Sequence, residues 1–267
     1  MTHHHPTAVI HPATRIAPDA VVGAYAVIED GVEIGPGCRI REHAVIRCGT
    51  ILGAGCTVDA HAVIGGLPQD LSFSAATPSG VRVGEGVTFR EGVTVNRATA
   101  EGAFTEIGAG SLLMGNSHVG HDCRIGAQVV LANGVLLAGK VSVGDHVFIG
   151  GGAAVHQYVR IGESAMVSGL SRVSEDLPPF CLAAERNGLI GLNLVGLQRR
   201  GFGRDTIREV KALFRLVYSG KGRPRESATA ALAESADLTP QGRAFLEFVA
   251  TPGKKGLMRP RQGDSND

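Results

Sequence analysis

From Ile10 an aliphatic residue returns every six positions: Ile16, Val22, Ile28, Ile34, Ile40, Ile46, Leu52, Val58 and Ile64. After a break the phase resumes at Val83 and runs through Phe89, Val95, Ile107, Leu113 and Val119 to Val173, failing only at Glu101. Four residues beyond these positions sits a small or β-branched residue, such as Ala20, Cys38, Ala44, Cys56, Thr99, Thr105 or Ser111. Gly often follows the aliphatic residue directly, as in Ile34-Gly35, Ile107-Gly108 and Ile161-Gly162. A period of six is neither the 3.6 of a helix nor the 2 of a lone strand. It fits a triangular coil of roughly 18 residues, with three short strands per turn and the aliphatic residue pointing inward. Gly after that residue is expected to supply the corner conformation that other residues resist. Coils stacked about 4.8 Å apart would pair each backbone with the ones above and below, giving a parallel β-helix.

Composition agrees with a narrow core. The 267 residues include 38 Gly and no Trp, and only 4% are aromatic. Cys38, Cys56 and Cys123 share the small-residue column and read as small buried hydrophobes. The repeat breaks between Gly65 and Arg82, around Leu67-Pro68-Gln69-Asp70. A loop thrown out of a regular solenoid is commonly functional. The repeat stops at Asp176-Leu177-Pro178-Pro179. Beyond it Ile207, Val210, Leu213, Phe214 and Val217 follow helical spacing, and Thr239-Pro240 reads as an N-cap and first helical residue. The expected organisation is a β-helix over 1–186 with an inserted loop at 65–82, then a helical domain over 187–267, helical from about 190. The last dozen residues are expected to be disordered.

Charge divides along the same boundary. Residues 1–186 hold 12 Lys+Arg against 17 Asp+Glu, and 187–267 hold 14 against 8. The basic tail suits phosphates or an acidic protein; a solvated helical surface is the plain alternative. No basic-then-apolar leader opens the chain and no run of 18 apolar residues occurs, so neither secretion nor a membrane span is expected. Five Cys without a CxxC pair fit a reducing cytoplasm and argue against a zinc knuckle. No cofactor and no nucleic-acid partner are implied.

The segment richest in chemistry is Met114-Gly115-Asn116-Ser117-His118-Val119-Gly120-His121-Asp122-Cys123. Acyl transfer to a hydroxyl needs a base beside it, and His serves at neutral pH. His121 follows an inward aliphatic residue by two, so it should face outward near a corner, with Asp122 free to orient it. One and two coils on, the same stripe holds Gly139 and Gln157, the latter beside His156. A Gly lets a ligand approach the backbone, where its N–H could serve an oxyanion.

These blocks, with His11-Pro12, Gln69-Asp70-Leu71, Leu131-Ala132-Asn133, Ala154-Val155-His156-Gln157 and Gly196-Leu197-Gln198-Arg199-Arg200-Gly201-Phe202, resemble the acyl-acyl-carrier-protein–UDP-N-acetylglucosamine O-acyltransferases of lipid A biosynthesis over nearly the whole chain. The resemblance implies a left-handed β-helix, a handedness that periodicity does not show. It also implies a homotrimer with active sites between subunits, and acyl carrier protein and a UDP-amino sugar as substrates. Carried over, His121 is the general base, Asp122 its partner and the Gly139 amide the oxyanion donor. Gln69, Asp70, His118, His156 and Gln157 line the sugar-nucleotide site. Asn193, Arg199 and Arg200 approach the nucleotide, and Gly169 stands at the position whose size limits acyl length, where a Gly leaves room for a longer chain. Ser72, Asn96, Lys140, Arg186 and Val195 depart from the family's usual Lys, His, His, His and Glu. They leave open whether the acceptor is a 3-hydroxyl or a 3-amino group. Other readings are an N-acyltransferase acting on a UDP-3-acyl-glucosamine, which usually carries an extra N-terminal domain; a γ-type carbonic anhydrase, tempted by His118 and His121 as zinc ligands; and an inactive trimeric scaffold.

Overall fold

The computed structural model describes residues 4–219, 223–235 and 237–260. Strands of mostly two residues form three parallel sheets whose members recur at every third strand. The first sheet runs from Val9–Ile10 through His118–Val119, Leu136–Leu137 and Ala154–Val155 to Arg172–Val173. The second runs from Arg15–Ile16 to Arg160–Ile161, and the third from Val21–Val22 to Met166–Val167 and Cys181–Ala184. The aliphatic residue of each hexad points into the prism, so Ile28, Ile46, Leu113, Leu131 and Ile149 are buried. Each such side chain contributes roughly 1.5–3 kcal/mol of burial. The small column lies inside as well: Cys38, Cys56 and Cys123 are buried, and their thiols donate to the carbonyls of Gly53, Gly84 and Ala138 at 3.1, 3.2 and 3.2 Å.

The Gly that follows the aliphatic residue has a different task from the one its position suggests. A Cβ at Gly35 would lie 2.8 Å from the carbonyl carbon of Gly53, and one at Gly108 would lie 2.4 Å from that of Gly126. These glycines are needed because the next coil's backbone passes too close for a side chain. The left-handed corner residue comes two places later. It is Gly37 or Gly110 in some coils, but Asp122, Lys140, Tyr158 or Ser164 in others.

Two coils are oversized, both at the corner between the first and second sheets. Ile64 pairs with Val95 and Leu52 with Val83, which leaves room for the 65–82 loop. One coil on, Val95 pairs with Val119 and Val83 with Ile107, again further apart than the usual 18. Glu101 therefore breaks the hexad phase because it lies in a second, shorter excursion, spanning 97–103.

Asp176, fully buried, closes the prism: its carboxylate accepts from the Arg160 N–H at 2.9 Å and from Arg160 Nε at 2.8 Å. The stretch after it corrects the sequence expectation. Gly188–Leu192 is a strand, antiparallel to Cys181–Ala184, so helix begins only at Leu194. Among the described residues four helices follow: α1 (Leu194–Arg199), α2 (Arg204–Ser219), α3 (Pro224–Glu234) and α4 (Pro240–Ala250). Thr239 caps α4, accepting from the Gly242 N–H at 3.1 Å. Phe245, Leu246 and Val249 of α4 are buried, as are Val210 and Val217 of α2 and Ala228 of α3. The chain then returns to the prism, where Met258 is buried and its N–H donates to the Asp176 carbonyl at 2.9 Å. Residues 256–260 are thus held by backbone pairing rather than disordered as expected; the rest of the expected disordered tail, 261–267, lies outside the described residues. Among the described residues no helix is long and apolar enough to cross a membrane.

Candidate active site

Because Val119 points inward, the chain must swing outward after it, and Gly120, His121 and Asp122 build the corner. Asp122 takes the left-handed conformation, φ +59°, and its N–H donates to Thr105 Oγ1 at 2.8 Å. Its carboxylate accepts from the Thr99 N–H at 2.9 Å and the Thr99 hydroxyl at 2.7 Å, and faces His121 Nδ1 at 2.7 Å. Burial alone would raise the Asp122 carboxyl, but the hydrogen bonds from His121 and Thr99 outweigh it and hold it below the ordinary carboxylate range. The group is ionised at neutral pH. An ionised acceptor at Nδ1 keeps the imidazole proton there and leaves Nε2 with its lone pair. The two side chains are only 15% and 18% exposed, so this orientation is held by packing as well as by the hydrogen bond.

The imidazole lies over Gly139, one coil further on. A methyl group there would come within 2.5 Å of His121 Cε1 and Nε2, so only Gly admits the ring. Among the described residues the Gly139 N–H donates to no acceptor, while the adjacent Lys140 N–H is bonded to the His121 carbonyl at 2.8 Å. A lone pair and a free backbone N–H thus share one edge of a groove of about 550 Å³. His118, His156, Gln157 and Gln69 line it as well. His118 Nδ1 meets Thr94 Oγ1 at 2.7 Å. Burial lowers its affinity for a proton. Asp70 stands exposed beside the groove. Its carboxylate accepts from the Ser72 N–H at 2.9 Å and the Ser72 hydroxyl at 2.7 Å, which holds it below its usual range.

The remaining expected residues lie at other corners of the same chain. Asn193 caps α1, accepting from the Gly196 N–H at 3.0 Å and donating to the Ser164 carbonyl at 3.0 Å, at the second–third corner. Arg200 donates to the Ser164 hydroxyl and lies 4.8 Å from the Phe202 ring centroid, while Arg199 is exposed at the end of α1. Gly169 begins the third–first corner, where a Cβ would lie 3.2 Å from the Gly151 carbonyl oxygen. Among Ser72, Asn96, Lys140, Arg186 and Val195, the positions expected to vary the binding shell, Asn96 lines the groove, and Val195 and Arg186 are exposed away from it. Among the described residues no three His, Cys, Asp or Glu side chains gather to hold a metal ion.

The comparisons with known proteins agree along the whole length. Residues 176–258 match the family model described as UDP-N-acetylglucosamine O-acyltransferase, domain 2, and residues 13–48 and 104–139 match bacterial transferase hexapeptide repeats. The structure of the UDP-N-acetylglucosamine acyltransferase from Campylobacter jejuni superposes with a TM-score of 0.89 at 34% identity, covering 97% of this chain and all (100%) of that one. This chain belongs to that acyltransferase family. Its relative from Moraxella catarrhalis is 31% identical over 96% of this chain and 100% of that one, with a TM-score of 0.88. The Francisella novicida enzyme is 28% identical over 99% and 96%, with a TM-score of 0.91.

Within this acyltransferase, sequence reasoning overlooked Thr99 and Thr105, whose hydroxyls fix Asp122. Both were expected in the small inward column; Thr105 is buried there, but the excursion marked by the failed hexad at Glu101 carries Thr99 out of the column to the Asp122 carboxylate.

Proposed function

We propose that this acyltransferase moves an (R)-3-hydroxyacyl group from acyl carrier protein to the 3-hydroxyl of UDP-N-acetylglucosamine, the first step of lipid A biosynthesis, in the cytoplasm. The observation that carries the reading is the His121–Asp122 pair set over the free Gly139 N–H. His121 Nε2 takes the hydroxyl proton as the oxygen attacks the thioester carbonyl. The Gly139 N–H meets the oxyanion that forms, and Asp122 steadies the imidazolium. Collapse of the intermediate expels the carrier's thiolate, which recovers the proton from His121. No metal or cofactor is needed for this sequence. Incubating the purified chain with 3-hydroxyacyl carrier protein and UDP-N-acetylglucosamine should release one thiol per acylated sugar; thiol release without acyl sugar would overturn the reading.

A homotrimer would complete the site. The outward residues of the second sheet are charged and paired, as in Arg15–Glu33, Arg82–Glu106 and Arg124–Glu106. The first and third sheets and the corner between them instead expose Val9, Leu136, Val21, Phe148, Tyr25 and Leu170. Three chains closed in a ring, the first sheet of one against the third sheet of the next, would cover those faces. The same packing would bring Asn193, Arg199 and Arg200 of the next chain to the His121 groove, where a guanidinium fork suits a diphosphate. Arg200→Ala is expected to raise KM for the UDP-sugar or the acyl donor more than it lowers kcat. Unchanged KM for both would leave Arg200 as a brace for Ser164 alone.

A 3-amino sugar is the second reading, favoured by Asn96. Its Oδ1 is buried at the groove wall without a partner among the described residues. A hydroxyl has one proton, which goes to His121; an amine has a second to give that oxygen. Offered both UDP-sugars with one acyl donor, the enzyme should not favour the amine by more than about tenfold in kcat/KM, or about 1.4 kcal/mol. A larger preference would replace the hydroxyl by the amine and leave the base in place.

A further inference from the structure

Tyr158 stands one coil beyond Lys140 at the same corner, and both take the left-handed conformation, φ +67° and +63°. Their preceding residues, Gln157 and Gly139, line the groove. The Lys140 ammonium lies 5.6 Å from the Tyr158 ring centroid. A second ammonium reaches the same ring from a distant part of the chain: Lys254, after α4, lies 4.2 Å from that centroid. Lys254 is brought there because residues 256–258 pair back onto Asp176. None of the ion pairs among the described residues engages Lys140 or Lys254. Two ammonium groups with no carboxylate partner, drawn to one phenol at the rim of a groove, leave a local excess of positive charge.

We propose that Lys140 and Lys254, mounted on Tyr158, form a clamp for the diphosphate of the nucleotide sugar. The inference rests on the reading that a UDP-sugar is the acceptor. If the sugar's 3-position meets His121, its anomeric diphosphate is only a few bonds away, within a coil or so along the corner. A Lys ammonium is a mobile point charge with three donors, suited to a diphosphate whose oxygens spread over two phosphorus centres. The clamp belongs to the same chain as His121 and would act together with the Arg199 and Arg200 that a neighbouring chain would bring to the groove.

The test compares Lys140→Met, Lys254→Met and the double variant with the parent enzyme. Met keeps most of the side-chain length and contact with the ring while removing the charge. Steady-state kinetics should show KM for UDP-N-acetylglucosamine raised about threefold or more in each single variant and about tenfold or more in the double, with kcat and the acyl-donor KM nearly unchanged, since charge-assisted hydrogen bonds to the bound ground state are lost. Calorimetric titration should show that the double variant loses affinity for UDP but not for uridine. Equal losses for both ligands would overturn the clamp, as would an unchanged sugar-nucleotide KM. A rise in acyl-donor KM alone would also overturn it, by assigning the pair to the carrier's phosphate instead. If the parent enzyme acylates no UDP-sugar, the proposed function falls by itself, while the UDP-against-uridine comparison still decides the clamp.

Discussion

His121→Ala is expected to lower kcat by at least about a hundredfold, because general-base catalysis contributes about 10²- to 10⁴-fold. The fold should survive. The His121 side chain stands at a corner, 15% exposed, and the inward neighbours Val119 and Cys123 are untouched. KM for both substrates should change far less than kcat, since the proton moves only as the new bond forms. The measurement is kcat and KM together with oligomeric state and melting temperature. Near-native turnover in a folded variant would remove His121 from the role of base, while loss of the fold would make it structural.

The second large effect is expected at Gly139. Gly139→Ala keeps the backbone N–H and adds one methyl, which would lie 2.5 Å from His121 Cε1 and Nε2. The ring cannot yield cheaply, because Nδ1 is held at 2.7 Å by Asp122 and Asp122 by Thr99 and Thr105. It must leave its position, and a displacement of about 1 Å at a reacting group can cost about a hundredfold. A loss of kcat on that scale is expected with little loss of stability. In the His121→Ala background the methyl has nothing to strike, so the double variant should be no slower than His121→Ala alone. If Gly139→Ala slows the enzyme further in that background, the methyl blocks the substrate directly and the steric account of His121 fails.

How far the fold was legible follows from what six-residue periodicity encodes. A phase held from Ile10 to Val173 marks the inward residue of each strand, because every hexad contributes one side chain to the prism. The special role of the corner glycines was misplaced by two residues. Periodicity reports which position is small, and both a left-handed φ and a close backbone approach demand smallness. Gly35 answers to the second and Gly37 to the first, a distinction that needs the next coil in place. Helical spacing likewise identified α2, and Thr239-Pro240 the start of α4. The Gly188–Leu192 strand escaped because five residues with two glycines carry no period of their own; its partners, Cys181–Ala184 and Pro260, come from other parts of the chain.

The same division runs through the site. His121, Gly139 and Gln157 could be placed on one stripe from the sequence, since a coil of 18 residues stacks them and the inward phase says which way they face. That determination is one-dimensional: it counts residues along a regular winding. Thr99 joins Asp122 because an irregular excursion folds back over the corner, and Lys254 joins Tyr158 because the chain returns from the helices to Asp176. Neither contact has a repeat behind it. By itself, then, the sequence determined the prism and the stripe that carries the base, because a repeating coil converts spacing into position. Only the tertiary structure decided how the His121–Asp122 pair is braced and what charge surrounds it. Those contacts join segments whose separation along the chain follows no period, and they form only once the separate folds of the chain are packed together.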